Sequence, residues 1–314
     1  MLTLKKIKDV QFNDKPTLAL KFQNIQIKKT TSNADYASLL GYDGDENIEV
    51  KIWSLSPEKK ELLKTGDVYI CTGSIKDYQG KKQFNVDTFY KASEDDVDLD
   101  SFYEYAPLNE QELQTKISGY VKKIDNPLLK KIVLTTINKY CKEYFTYPAA
   151  VSVHHNFIYG LAYHVYSMLT LSDTYLKFYE FLNKDLVYAG IILHDIGKVK
   201  ELSSSKGPEY TIIGNLEGHI SIGANMLYSV CEQLGCNDTE EAMALMHIIL
   251  SHHGKNEYGS PVLPSIPEAA LIFMLDYNDS RLAALKKACE GVHKGERTEG
   301  VFAFDKKSFY IPKV

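Results

Sequence analysis

The chain lacks any long apolar run. Nothing in its 314 residues approaches the roughly 18 consecutive apolar residues of a membrane span. The opening stretch MLTLKKIKDV has no apolar signal region, so a cytoplasmic protein is expected. Cysteine is sparse: Cys71, Cys141, Cys231, Cys236 and Cys289 are odd in number and form no CxxC pair or zinc-ribbon spacing. That excludes a disulfide framework and predicts reduced thiols. Positive charge is not in excess either. A net charge of -5 and a pI near 6.0 exclude a basic nucleic-acid coat, so any nucleic-acid contact must come from a local patch. Internal repeats and low-complexity tracts are absent. What is present is a globular composition, 44% hydrophobic and 25% charged, in a length that suits about two domains.

The first part predicts strands. LTLKKI, TLALKFQNIQIKKT, NIEVKIWSL, DVYICTGSIKDY and KQFNVDTFYK are short, β-branched or aromatic, and partly alternating. Tyr78-Gln79-Gly80-Lys81 is a hairpin-turn candidate, and Ser56-Pro57-Glu58 opens a short helix, PEKKELLK. Strands at this spacing with one inserted helix suit a small closed barrel. The acidic stretch ASEDDVDLDSF over residues 92–102 marks a linker, and the pattern then turns helical. In NPLLKKIVLTTINKYCKEYF, apolar residues recur at three- and four-residue steps, behind Asn126 as N-cap and Pro127 in the first turn. Further helices are predicted near residues 157–182, 185–194, 218–234, 239–252 and 267–288.

Histidine is concentrated in the helical part: all but His293 lie between His154 and His253. They stand in HHNFIYGLAYH, ILHDIGK, LEGHI and ILSHHG, and a later carboxylate pair, Asp276 and Asp279, stands in FMLDYNDS. Imidazole with carboxylate suits Mn, Fe, Zn, Ni or Co and does not suit thiolate-seeking metals. The apolar run GIIL ends in His194-Asp195. Adjacent helix residues point about 100° apart, so His194 can face one metal while the two oxygens of Asp195 reach between two. Two ions about 3.5–4 Å apart can hold a hydroxide and clamp a phosphoryl group. The ordered set His164, His194-Asp195, His219, His252-His253 and Asp276 is therefore the candidate metal centre. His247 lies on the apolar face of EAMALMHIIL and is expected in the core; His293 is expected in solvent. His154 and His155 either line the pocket or serve as structural groups, and Asp279 is a further pocket candidate.

His164, His194-Asp195 and Asp276 resemble the H…HD…D signature of the HD-domain metal-dependent phosphohydrolases. The likeness extends further. YPAAVSVHHNFIYGLAYHVYSML, GIILHDIGKVKEL, GNLEGHISIG and ILSHHGKNEYGSP resemble the YhaM-type 3'→5' exoribonucleases, in which an N-terminal OB-fold precedes the HD domain. The resemblance implies a Mn-favoured, two-metal nuclease that shortens single-stranded RNA from its 3' end. It places His164, His194, Asp195 and Asp276 at the first metal, with Asp195 bridging and acting in catalysis. His219 and His252 fall at the second, and His253 is either a ligand or a phosphate contact. Lys198 matches the lysine after HD-x-G that contacts phosphate. Where the family tends to read DNLDA, this chain reads Asp276-Tyr277-Asn278-Asp279-Ser280. Both aspartates remain; the packing behind them differs.

The expected fold is a multidomain β + α chain: an OB-like barrel over residues 1–92, an acidic linker and connecting helix over 93–125, an all-α HD domain over 126–300 and a tail over 301–314. On the barrel, Trp53, Tyr78 and Phe84 are candidate stacking platforms, with Lys76, Lys81 and Lys82 nearby. Trp53 and Phe84 can equally be barrel core, while Tyr78 is expected to be exposed. The expected reaction is stepwise release of nucleoside 5'-monophosphates from single-stranded RNA, with single-stranded DNA as a further substrate and a homo-oligomer allowed by exposed helical faces. Two rival readings are a phosphohydrolase of a small nucleotide and an RNA-binding regulator with a vestigial HD site. The barrel argues against the first, and the intact ligand set against the second.

Overall fold

A computed structural model describes residues 4–151 and 155–314. The chain forms two compact units, Met1–Glu104 with Lys206–Glu209 and Tyr105–Ser205 with Tyr210–Val314. Among the described residues, no helix is long and apolar enough to cross a membrane.

The first unit is a closed five-stranded barrel. Its strands are β1 (Thr17–Lys29), β2 (Asp35–Tyr42), β3 (Asn47–Ile52), β4 (Val68–Tyr78) and β5 (Lys81–Lys91). They close in the order β1-β2-β3-β5-β4, with β3 and β5 parallel and the other pairs antiparallel. Helix α1 (Pro57–Leu62) sits between β3 and β4, capped by the Ser56 hydroxyl. This is the OB-like arrangement. Gln79 and Gly80 both have positive φ, as the two-residue turn joining β4 to β5 requires. Inward residues such as Leu18, Leu20, Phe22, Val50, Tyr69, Ile75 and Phe84 fill the barrel.

Three expectations for this unit change. LTLKKI forms no strand in its described part: Ile7–Asp9 is a 3-10 turn. Ile7 and Val10, three residues apart, both point into the barrel core, which suits a tight turn and not a period of two. The Asp43 carboxylate accepts the Ile7 N–H at 2.7 Å. The missing strand is β2, DYASLLGY. Of its inward residues Ala37, Leu39 and Gly41 only Leu39 is a large apolar side chain, while the opposite face carries Tyr36, Leu40 and Tyr42, so no apolar alternation shows. Gly41 has to be small, because a Cβ there would lie 2.8 Å from Leu20. Third, Phe84 is fully buried and cannot be a stacking platform. It alternates inward with Val86 on β5, opposite Ile75 and beside Val50.

The second unit is helical. Its helices are α2 (Glu110–Lys123), α3 (Pro127–Lys139), α4 (Cys141–Thr146), α5 (Gly160–Phe178), α6 (Lys184–Leu193), α7 (Lys198–Glu201), α8 (Ile212–Leu234), α9 (Glu240–Ser251) and α10 (Pro267–Cys289). Asn126 caps α3 by accepting from Leu128 and Leu129 N–H. The predicted single helix over this stretch breaks at Tyr140, whose φ of -129° and ψ of 28° are not helical. One continuous apolar core holds the bundle together, with α6 at its centre: every residue from Val187 to Leu193 is buried.

Because Phe84 fills the barrel, Phe84→Ala should destabilise that unit by about 3–5 kcal/mol. The sole tryptophan, Trp53, lies in the barrel and reports its urea unfolding by fluorescence. A change within about 0.5 kcal/mol, as for an ordinary surface substitution, would contradict the core assignment.

Candidate metal centre

The last carbonyls of a helix have no partner within it. Two helices here close that gap with histidine. His194 follows α6, and its Nδ1–H donates to the Ile191 carbonyl at 2.8 Å; His252 follows α9 and donates to Ile249 at 2.7 Å. Each ring thereby caps its helix and turns Nε2, the nitrogen with the lone pair, away from the helix end. Both Nε2 atoms are buried without a hydrogen-bond partner, as is Asp195 Oδ1. Buried polar atoms are ordinarily paired, so these three mark a place for a cation.

Asp195 stands at the middle of this set. Its Oδ2 lies 3.3 Å from His194 Nε2 and 3.9 Å from His164 Nε2. Its Oδ1 lies 3.5 Å from both His219 Nε2 and His252 Nε2. The two oxygens of one carboxylate therefore face two different groups of imidazoles. Asp276 Oδ1 joins the first group at 3.3 Å from His164 Nε2. In the second group His219 and His253 bring their Nε2 atoms to 3.3 Å. Since both rings direct Nδ1 at acceptors, Glu201 and the Tyr258 carbonyl, two lone pairs face each other. A cation between them relieves that repulsion. The clusters His164-His194-Asp276 and His219-His252-His253 each bring three ligand atoms within 4.8 Å of one another.

The other nitrogens are anchored as metal-site histidines commonly are. On α10, Asp276 and Asp279 are three residues apart and share a face. They bracket the His164 ring: Asp276 faces Nε2, and Asp279 accepts from Nδ1 at 2.7 Å. Asp279 also takes His155 Nε2 at 2.8 Å and the Ser167 hydroxyl. His155 and Asp279 thus stand behind His164 as structural partners; His154 lies outside the described residues.

A second device positions His219. Helix α8 kinks at Gly218, whose φ of +69° favours glycine. The kink frees the His219 backbone N–H, and Glu201 Oε1 accepts both this N–H, at 3.0 Å, and Nδ1, at 3.1 Å. Gly197 permits the close approach, since a Cβ there would lie 1.9 Å from the His219 carbonyl oxygen. Glu201 is not recognisable in the sequence, because its role depends on His219, eighteen residues away in the chain, and on the kink before it.

Burial and neighbouring charges decide which groups at the centre are ionised. Burial tends to raise the Asp195 carboxyl, but Lys198 and His194 hold it well below the usual carboxylate range. Burial opposes charge on Lys198, yet Asp195, 2.7 Å from its Nζ, raises its pKa and keeps it protonated. Burial likewise opposes charge on His164, but Asp276 and Asp279 push it up to about 10, so a proton competes with any metal ion for its Nε2. Burial lowers His252 and His253, which stay neutral and able to donate lone pairs.

A cavity of about 530 Å3 opens onto the cluster, lined by Lys198, Glu201, His219, His253 and Asp276 and by the aromatic side chains of Tyr210, Tyr258, Phe273, Tyr277 and Phe302. Tyr258 comes from the GKNEYGSP loop, which flanks the candidate ligands His252 and His253 in the chain. His247 is only half-buried and accepts the Ser265 N–H at 2.9 Å, so it is not core; His293 is exposed, as expected.

On the barrel, Trp53 and Tyr78 are about half exposed, Lys81 is exposed and Lys82 is partly covered. Trp53 stacks on Tyr36 at 4.7 Å and 25°, and its Nε1–H donates to Asn85. Tyr36 lies on β2, the strand that has no clear apolar alternation, and so carries no signal of its own in the sequence.

The HD-domain family model matches residues 161–280. The chain is 40% identical over 278 residues to the 3'-5' exoribonuclease YhaM of Bacillus velezensis, covering 88% of each chain, and equally similar to that of Bacillus licheniformis. A solved domain of replication protein A from Methanococcus maripaludis is 21% identical, covering 28% of this chain and 94% of that one, with a TM-score of 0.25.

Glu201→Gln keeps the side-chain shape but removes the charge that holds the His219 imidazole. Divalent-ion affinity should fall about 10–100-fold with the circular dichroism spectrum unchanged. Titration calorimetry with Mn2+ measures it; unchanged affinity would show that His219 is held in place without Glu201.

Proposed function

Because the chain belongs to the YhaM family of 3'→5' exoribonucleases, we propose that the histidine and aspartate cluster around Asp195 is its catalytic centre. The protein is a metal-dependent exoribonuclease built from an OB-like barrel and an HD domain. One observation carries the assignment of the centre: a single buried carboxylate presents each oxygen to a different set of histidine Nε2 atoms.

His164, His194, Asp276 and Asp195 Oδ2 would hold one ion, and His219, His252 and Asp195 Oδ1 the other. His253 completes the second set or contacts phosphate. Histidine with carboxylate suits Mn2+. Divalent ions, when bound, supply a nucleophile from water at neutral pH and neutralise charge on the phosphodiester. Lys198, protonated and on the cavity wall, binds a non-bridging phosphate oxygen and offsets charge that grows there in the transition state. Asp195 and Asp279 hold the rings and the lysine in place throughout.

Cleavage at the last phosphodiester releases a nucleoside 5'-monophosphate and leaves a 3' hydroxyl, so the cycle repeats. Single-stranded RNA is the proposed substrate, with single-stranded DNA as a further one. The barrel's Trp53–Tyr36 stack, with Tyr78, Lys81 and Lys82, supports a role in holding the strand, since base stacking contributes about 1–3 kcal/mol per base. The five free cysteines suit a reducing compartment, and the cytoplasm is the proposed site of action.

With Mn2+, 5'-labelled single-stranded RNA should shorten as a ladder, and a stable 3' hairpin should block it. Immediate internal fragments, or a labelled mononucleotide as first product, would overturn the assignment. Asp195→Ala should lose bound metal and all turnover while staying folded. Retained turnover at full metal content, read by elemental analysis, would remove Asp195 from the centre. Trp53→Ala should raise KM on a long oligonucleotide about 10-fold, within the range of one stacked base, and leave dinucleotide cleavage unchanged. Equal effects on both substrates would contradict a tethering role.

A further inference from the structure

Phe302 has no packing reason to be aromatic. Its side chain is 76% exposed, although it lines the same cavity as Lys198 and Asp276. Its neighbour Val301 turns inward and is buried, so the backbone is anchored by valine and the phenyl ring is presented outward.

The turn that carries it is held firmly. Val301 N–H donates to the Lys307 carbonyl at 3.0 Å, and the Val301 carbonyl accepts from Phe304 and Lys306. The Arg281 guanidinium lies 4.1 Å from the Tyr277 ring centre and 5.5 Å from that of Phe304. This cation–π contact ties the turn to α10, the helix that bears Asp276. The backbone that carries the ring is thus held relative to α10, which limits the ordering needed when something binds to the ring.

The cavity is polar at the metal ligands and aromatic elsewhere. A nucleotide has the same division, a charged phosphate and a flat base. With the phosphodiester at Asp276 and Lys198, a flanking base falls within the cavity whose wall includes Phe302. Every base has a π face, so such a platform holds the strand without selecting sequence. Resting on the nuclease reading above, we propose that Phe302 is the stacking platform for a base that flanks the scissile phosphodiester.

The test is a double-mutant cycle between side chain and base. Full-length wild-type protein and Phe302→Ala, both loaded with Mn2+, are compared on RNA with intact bases and on RNA with an abasic ribose at the terminal or the penultimate position. On intact RNA, Phe302→Ala should raise KM about 10-fold, within the range of one stacked base, at unchanged metal content. Phe302→Trp should restore KM. At one of the two abasic positions the substitution should cost nothing further. Equal effects of Phe302→Ala on intact and on both abasic strands would overturn the proposal, as would no effect on intact RNA. Wild-type protein that leaves RNA intact would instead overturn the nuclease reading itself.

Discussion

The structure depends on one buried carboxylate. Asp195 is 2% exposed, and a charge in that position is tolerable only when it is paired and hydrogen-bonded. Lys198 and four imidazoles surround it. His194 and Lys198 belong to the same stretch of chain as Asp195, but His164, His219 and His252 come from other helices, which must meet at one point for the charge to be balanced. The geometry of α5, α6, α8 and α9 is in this sense the geometry needed to surround two oxygens. The apolar interior of α6 complements this. It carries the helix end to the middle of the bundle, where a bare carboxylate would not otherwise go.

Around that point the division of labour follows from what each group can do. Imidazole offers one nitrogen inward and needs its other nitrogen occupied. Carboxylates on α10 and α7 occupy two of them, at His164 and His219. Glycine supplies what side chains cannot. Gly197 lets two backbones touch, and Gly218 turns the chain so that His219 points inward. The family likeness is consistent with this arrangement: the HD-domain match begins at residue 161, just before His164, and ends at residue 280, just past Asp279.

Much of this is legible in the sequence. The candidate ligands stand out because imidazole and carboxylate at the end of an apolar run have few other reasons to be there. The long amphipathic helices and the Gln79-Gly80 turn declare themselves through period and turn chemistry. Other features stay hidden, for physical reasons. Strand β2 packs inward through Ala37, Leu39 and Gly41, of which only Leu39 is a large apolar side chain, while Tyr36, Leu40 and Tyr42 on the other face blur the alternation. Ile7 and Val10 mimic a strand but serve a single tight turn. Phe84 and Trp53 look alike, because an aromatic residue on a strand is core or surface depending on register, and register is set by partners far away in the chain. Glu201 has no signature at all, since its function exists only once the kink at Gly218 has freed a backbone N–H.

Three of the five imidazoles at the centre donate to backbone carbonyls: those of Ile191, Ile249 and Tyr258. A carbonyl is present whatever residue supplies it. The partner that fixes the tautomer of these rings therefore cannot be removed by any single codon change that leaves the backbone in place. Drift can alter the two acidic supports, but for the other three rings the orientation is inherited with the helix turn itself. The centre is thus partly recorded in the path of the chain, where an alignment of side chains would not find it.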